Sequence, residues 1–259
     1  MKQRIIIIGG MGPQASLKLH RRIIRQALAN GAKAGTDFPH IVHLSLPVPD
    51  FIANESRRGE ALEIIINELK NIDASMDDVI IIACNTAHLL QPDIEQRLNI
   101  RITSMVDAAI DYVSSHYKTI RLLASPTTIR TGLYDKPLKT AGVTVLTPDD
   151  NERQALETII RAVIAGRTVP QLALEKVERI AKFDRVEIDN YVENHLNNPP
   201  ILLGCTELSC AFAKKPNTID PMNILINHLS AQMSAIAKPD NKPETTVKSN
   251  SSYQITPSA

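Results

Sequence analysis

The sequence predicts an α/β fold with mainly parallel sheets. Short continuous runs of Ile, Val and Leu alternate with longer segments whose apolar residues have helical spacing. Runs without polar alternation are typical of strands that helices cover on both faces. The order strand, polar loop, helix occurs early in the chain and restarts later. This repeated order indicates two α/β domains.

The elements of the first half follow from apolar runs and the residues that end them. The run of isoleucines after Arg4 ends at a Gly-Gly-Met-Gly-Pro loop, after which helical spacing begins, and a later run ends at Pro47. A third run ends in Cys84-Asn85-Thr86, which opens another helix. The predicted strands are 4–8, 40–46, 79–83 and 100–103, and the predicted helices before Cys84 are 14–29 and 58–69.

The second half repeats this order. The first of its runs ends in Ser125-Pro126-Thr127-Thr128 and the last in Gly204-Cys205-Thr206. The predicted strands are 120–124, 143–146 and 201–203, and the predicted helices are 152–165, 172–182 and 222–236. We predict a first domain over 1–105, completed by helix 221–237, a second over 106–220, and a disordered tail over 238–259, where large apolar residues are few.

Composition excludes several classes of protein. The 259 residues are 43% hydrophobic, and 29 Lys and Arg against 28 Asp and Glu leave no basic surplus for nucleic acid. No apolar run approaches the roughly 18 residues of a membrane span. The four aliphatic residues near the start end at Gly9, as in a buried strand rather than a signal peptide. The 3 cysteines are too few and scattered for a disulfide framework, so we expect a cytoplasmic protein with reduced thiols.

Two cysteines occupy matching positions in the two halves. Cys84 and Cys205 each follow an apolar strand and precede helix-opening residues that include a threonine. A helix N-terminus favours thiolate, and its N–H groups with the hydroxyls of Thr86 and Thr206 can hold a carboxylate. Two thiols that face each other suit proton abstraction next to a carboxylate, with protonation on the opposite face of the planar intermediate. Cys210 is expected to be a buried small residue without function.

Three motifs together resemble the aspartate/glutamate racemase superfamily, above all its aspartate racemase and broad-specificity amino-acid racemase branch. They are Ile8-Gly-Gly-Met-Gly-Pro-Gln-Ala15, Ala83-Cys-Asn-Thr-Ala-His88 and Gly204-Cys-Thr-Glu-Leu208. The resemblance covers about residues 4–236. It implies two pseudo-symmetric three-layer α/β/α domains with mainly parallel sheets and the active site in the cleft between them. It also implies racemisation without pyridoxal phosphate or another cofactor, and Cys84 and Cys205 as the paired acid/base catalysts. It also implies a homodimer and these substrate-binding residues: Met11, Asn85, Thr86, Thr128 and Thr206.

Two positions depart from the pattern expected of an enzyme for dicarboxylates. Phe51 follows Pro49-Asp50 where an Arg is expected, and Ile164 stands where a Lys is expected. An isolated second carboxylate would then be poorly compensated, so we expect a neutral, apolar or broad set of amino acids, with Phe51 against the substrate. Aspartate stays open, because Arg57, Arg58 or Arg130 could supply a substitute cation.

Other functions remain open at the level of sequence. The same architecture serves hydantoin racemases and isomerases of the maleate type. A hydrolase or amidotransferase could use Cys84 with His88, one helical turn further on, and need no second thiol. A non-catalytic binding protein would need neither cysteine. The glycine loop after the first strand lacks the spacing of nucleotide-binding loops, and the histidines lack metal-ligand spacing, so we predict neither a nucleotide nor a metal.

Overall fold

The structure is a computed structural model that describes residues 3–49, 55–181, 199–212 and 215–236. Its strands are β1 (Arg4–Gly9), β2 (His40–Ser45), β3 (Val79–Ile82), β4 (Thr119–Ala124), β5 (Thr144–Leu146), β6 (Ile201–Gly204) and β7 (Thr218–Ile219). They form two sheets, of order β2-β1-β3 and β5-β4-β6-β7. All strand pairings in the described residues are parallel, which confirms the predicted class and the parallel sheets.

The helices alternate with these strands. The α-helices are α1 (Pro13–Ala29), α2 (Arg58–Asn71), α3 (Gln91–Leu98), α4 (Met105–His116), α5 (Pro126–Thr131), α6 (Asp135–Thr140), α7 (Asp150–Ile164), α8 (Gln171–Ala181), α9 (Thr206–Phe212) and α10 (Pro221–Ile236). Short 3-10 helices cover Gly35–Asp37 and Thr86–Leu90. Proline in the first turn suits α1, α3 and α5, because the first N–H groups of a helix have no partner within it.

The two sheets share one arrangement of strands. In each, the first strand of its half lies between the second and the third, so that β1, β2 and β3 correspond to β4, β5 and β6. A parallel bridge from Ile80 to Ile102 stands beside β3, just as β7 stands beside β6. The loops that follow β3 and β6 therefore leave equivalent positions of the two sheets.

Alternate residues of each strand enter different cores. Ile5 and Ile7 of β1 join Leu122 of β4 in a core that both sheets share. Ile6 and Ile8 face an outer core with α2 and α3. On the second sheet, Leu123 faces the core formed with α7 and α8. Strands β1, β3 and β6 are buried on both faces, which explains why they read as unbroken apolar runs.

Some predicted elements were wrong or missing. The strand expected over 100–103 is reduced to the bridge at Ile102. The sequence analysis did not predict α4, α5 or α6, although α4 has a plain start signal: Ser104 accepts the backbone N–H of Asp107. The predicted tail over 238–259 lies outside the described residues.

A buried ion pair ties α1 to the loop before α10. Asp220 accepts hydrogen bonds from the Ser209 hydroxyl at 2.9 Å and the Met222 N–H at 3.0 Å. Its second oxygen lies 2.7 Å from Nη2 of Arg22, a residue of α1. Helix α10 packs on both α1 and α4. The ion pair thus links α1 to the end of the second sheet. The exact domain boundaries stay a prediction.

Candidate active site

The two candidate cysteines lie at the carboxyl ends of corresponding strands. Cys84 follows β3, and Cys205 comes directly after the last residue of β6. Their exposed fractions are 9% and 4%. Cys84 packs in the same apolar cluster as Met11, a residue of the loop after β1. The charge of Cys84 contributes to the raised pKa of Cys205, so the two sulfurs lie within electrostatic reach of each other.

Three hydroxyl groups join the two halves next to these cysteines. Oγ1 of Thr86 lies 3.0 Å from Oγ of Ser125 and 2.9 Å from Oγ1 of Thr128. Ser125 also donates to Thr128 at 3.0 Å and caps α5 by accepting the Thr128 N–H at 3.2 Å. All three residues are buried. The structure therefore brings together Thr86 and Thr128, which the sequence assigned to the site from separate motifs, and adds Ser125.

A buried tyrosine holds Asn85. The Tyr134 hydroxyl donates to Oδ1 of Asn85, and both residues are almost fully buried. Burial raises the pKa of Tyr134 well above its ordinary value, so the phenol keeps its proton and stays a donor. The Nδ2 of Asn85 has no hydrogen-bond partner in the described structure. Sequence reasoning missed Tyr134, because nothing in its local pattern distinguishes it from a core residue.

His88 turns toward the backbone of its own loop. Its Nδ1 lies 2.8 Å from the carbonyl oxygen of Cys84, which only accepts, so Nδ1 carries the proton. Burial lowers the pKa of His88, which keeps the ring neutral. The second ring nitrogen, Nε2, is buried without a partner in the described structure. The recorded contact of His88 is therefore with the Cys84 backbone rather than with its thiol.

A carboxylate lies beside the second cysteine. Sγ of Cys205 donates to Oε2 of Glu207 at 3.0 Å, and Oγ1 of Thr206 donates to the same oxygen at 3.2 Å. Burial, together with the charge and hydrogen bond of Glu207, raises the pKa of Cys205 well above its ordinary value. The expectation that a helix N-terminus would favour thiolate is therefore wrong at Cys205, where desolvation and a neighbouring carboxylate outweigh the dipole.

The glycine loop after β1 is shaped by close backbone contacts. A Cβ on Gly10 would lie 2.0 Å from the carbonyl oxygen of Leu46. A Cβ on Gly12 would lie 1.8 Å from Oε1 of Glu207. Both glycines have positive φ, at 97° and 115°, which side chains of L-residues rarely adopt. The loop after β1 is therefore a tight turn. It contacts Leu46, which follows β2, and Glu207, which follows Cys205.

The remaining predicted residues have different outcomes. Phe51 lies outside the described residues. Ile164, at the end of α7, is partly buried against the outer core of the second sheet, and a Cβ on the nearby Gly166 would lie 3.3 Å from Nε2 of Gln14. This end of α7 therefore borders the start of α1. In the part of the chain that the structure describes, no three His, Cys, Asp or Glu side chains are grouped as a metal site requires.

The fold and the site define a class of protein: a two-domain α/β protein with a buried cysteine after the corresponding strand of each sheet. The family model for Asp/Glu/Hydantoin racemase matches residues 8–229. The chain therefore belongs to the Asp/Glu/Hydantoin racemase family, which confirms the resemblance drawn from the motifs.

Individual relatives agree with this assignment. The chain is 28% identical over 158 residues to the broad specificity amino-acid racemase RacX of Bacillus subtilis (strain 168), covering 61% of this chain and 69% of that protein. An aspartate racemase homologue from Pyrococcus horikoshii OT3 superposes with a TM-score of 0.66 at 25% identity, over 90% of this chain and 100% of the other. The Picrophilus torridus aspartate racemase has the same fold, with a TM-score of 0.66 at 23% identity over 89% and 94%.

Proposed function

We propose that this protein is an amino-acid racemase that needs no cofactor and uses Cys84 and Cys205 as its two acid/base groups. One observation carries the proposal: the two buried thiols follow corresponding strands of the two sheets, and the hydroxyl of Thr86, beside Cys84, meets those of Ser125 and Thr128 in the other half. The names of the relatives from B. subtilis and P. torridus, both racemases of amino acids, support the same reaction class.

In the proposed reaction each thiol serves one face of the substrate. A thiolate removes the proton from Cα, and the electron pair of the C–H bond delocalises into the substrate carboxylate. The opposite thiol then gives its proton to the other face of the planar carbon and keeps its own electron pair as thiolate. The net change is inversion at Cα with one proton moved from one sulfur to the other.

Polar groups near the cysteines suit a bound α-amino acid. The unpartnered Nδ2 of Asn85 is a buried donor whose other amide atom is fixed by Tyr134. A buried donor without a partner costs free energy, which a substrate carboxylate would recover. Thr86 and Thr128 supply hydroxyls from opposite halves. We assign the α-carboxylate to Asn85 and Thr86, with Thr128 and Thr206 as further contacts and Met11 lining the pocket.

The arginines that could hold a second carboxylate are already paired. Arg58 lies 3.1 Å from Asp93, and Arg130 lies 3.6 Å from Glu55 and donates to Thr127. The remaining candidate, Arg57, pairs with Glu60 at 2.6 Å. Because Phe51 and Ile164 stand where an Arg and a Lys are expected for dicarboxylates, and these three arginines contact carboxylates of the protein, we propose neutral or apolar amino acids, or a broad set, as substrates.

The test is racemisation of a panel of L-amino acids without added pyridoxal phosphate or metal. We expect Cys84→Ser and Cys205→Ser each to abolish activity, whereas Cys210→Ser, a matched change at a half-buried thiol, should keep it. Full activity in either of the first two variants would refute the two-thiol mechanism. A kcat/KM for aspartate far above those for methionine, leucine and homoserine would refute the neutral-substrate proposal.

The single-thiol alternative predicts a different pattern. A hydrolase that uses Cys84 with His88 would tolerate Cys205→Ser and would turn over amides rather than racemise free amino acids. The Nδ1 contact of His88 with the Cys84 carbonyl gives this alternative no support. Hydantoin racemisation and maleate isomerisation are separated from the proposal by assaying those substrates beside the amino-acid panel.

We further propose a cytoplasmic homodimer. No helix in the described ranges is both long and apolar enough to cross a membrane. The reduced state of the three cysteines, which the structure shows as free thiols, suits a reducing compartment. Light scattering coupled to size exclusion would test the dimer, and a mass near 28.6 kDa would refute it.

A further inference from the structure

The carboxyl group of Glu207 lies directly beside the candidate catalytic thiol of Cys205. Its Oε2 accepts the hydrogen bond of Cys205 at 3.0 Å. Glu207 is 2% exposed and Cys205 is 4% exposed, so the contact is shielded from solvent. A carboxylate is strongly hydrated in water, and its burial here requires compensating contacts.

The surroundings of Glu207 hold its carboxyl group in place without neutralising it. Thr206 donates to Oε2 at 3.2 Å, while Oε1 has no hydrogen-bond partner in the described structure. That oxygen lies against Gly12, the residue before α1, at a position where any side chain would collide with it. Because only a glycine leaves this space, the fold accommodates the carboxyl group specifically beside the thiol.

We propose, as an extension of the two-thiol racemisation, that Glu207 is a positioning residue that keeps Cys205 in its protonated form. Accepting the S–H hydrogen bond orients the proton and stabilises the thiol over the thiolate. Cys205 is then poised as the proton donor for the face of the substrate that it serves.

The electrostatics of the pair support this assignment. Burial raises the pKa of Glu207 as well as that of Cys205, and the charge of Glu207 raises the latter further. The other titratable groups that interact with Cys205 are Cys84 and Tyr134, and Tyr134 is itself held neutral.

The test measures Cys205 without relying on turnover. In a Cys84→Ser, Cys210→Ser background Cys205 is the only thiol, since the chain has 3 cysteines. Its alkylation rate by iodoacetamide is followed against pH with Glu207 and with the isosteric Glu207→Gln. Replacing a like charge by an amide that can donate to sulfur should lower the pKa of Cys205, so alkylation near neutral pH should be about 10-fold faster.

An unchanged or slower rate in Glu207→Gln would overturn the proposal. Circular dichroism checks the fold, and Glu207→Asp serves as the second variant, because it keeps the charge but withdraws it from the sulfur. We expect an intermediate rate for Asp, and a rate equal to that of Gln would also contradict the role of charge.

A second readout separates this inference from the racemase itself. With all native cysteines, Glu207→Gln should move the pH profile of kcat/KM to lower pH, because the pKa of Cys205 falls. Loss of activity with an unshifted Cys205 titration would refute the positioning role and leave the racemase intact. Retained racemisation in Cys205→Ser would refute the racemase mechanism whatever the alkylation rates.

Discussion

Gly12→Ala tests whether the glycine loop packs closely against the carboxyl group of Glu207. The Gly12 backbone has φ 115°, and the added Cβ would lie 1.8 Å from Oε1 of Glu207. The left-handed conformation alone costs an L-residue about 1–2 kcal/mol. Displacing the buried carboxyl group adds an overpacking cost of about 1–3 kcal/mol. We therefore expect the free energy of unfolding to fall by about 2–5 kcal/mol.

Two other glycines provide matched controls for this variant. Gly31 has φ 98° with no atom within 4 Å of an added Cβ, so Gly31→Ala reports the backbone cost alone. Gly35 has neither positive φ nor a neighbour within 4 Å, and Gly35→Ala should be nearly neutral. Urea denaturation of the three variants, followed by far-ultraviolet circular dichroism, gives the differences directly.

Shortening the side chain of Glu207 should also remove the collision. In a Glu207→Ala background, the cost of Gly12→Ala should fall to the level of Gly31→Ala, since only the backbone cost remains. Equal costs for Gly12→Ala and Gly31→Ala in the native background would refute the reasoning. Such a result would mean that Oε1 of Glu207 moves away freely and that the carboxyl group is not held beside Cys205.

Three further changes probe the contacts around the site. Tyr134→Phe leaves Asn85 Oδ1 buried without its donor, so the free energy of unfolding in urea should fall by about 1–3 kcal/mol, and an unchanged value would contradict the bond. Arg22→Met leaves the buried carboxylate of Asp220 without a cation, so the free energy of unfolding should fall by about 3–5 kcal/mol. Arg57→Met removes a surface pair and should not change the free energy of unfolding measurably. Equal effects of the two variants would contradict this reasoning. Because burial lowers the pKa of His88, the unfolded chain binds a proton below about pH 6.5 that the folded chain resists. The stability advantage of the native protein over His88→Gln should then shrink as pH falls below that value, and a constant or growing advantage would refute it.

Much of the fold could be predicted because β1, β3 and β6 are buried on both faces. Runs such as Ile5–Ile8 and Val79–Ile82 contain no polar residue that interrupts the apolar pattern, and the observed strands begin within one residue of the prediction. The strand expected at 100–103 failed because its pairing with β3 is limited to one bridge at Ile102, with the Thr103 N–H donating to the Ile80 carbonyl oxygen. A short apolar run shows that a segment is buried but not that its backbone pairs along its length.

Three helices were not predicted, and only two of them lack a visible signal. Helix α4 carries a cap at Ser104 and buried residues at helical spacing, Met105, Ala109 and Val113, so its pattern was present in the sequence and was missed. Helices α5 and α6 have 6 residues each, too few for a periodic pattern to be visible. Their stability comes from the tertiary contacts around them, which local sequence does not encode.

The candidate site was predicted in part for the same reason. Cys84, Thr86 and Cys205 stand at strand ends in recognisable motifs, and parallel sheets gather such ends at one edge. Tyr134 and the orientation of Glu207 depend on long-range packing. The carboxyl group of Glu207 is buried against Gly12 and Cys205, and the sequence of its own loop does not reveal that position.

The origin of the proton at Cα tests the two-base mechanism most directly. An L-amino acid with ordinary hydrogen at Cα is racemised in heavy water, and the reaction is stopped early. The deuterium content of both enantiomers is then measured by mass spectrometry. If Cys84 and Cys205 serve opposite faces, the D-product carries deuterium at Cα while the recovered L-substrate keeps hydrogen. Product that retains the original hydrogen, or equal deuterium in both enantiomers, would mean that a single base serves both faces and would contradict the account.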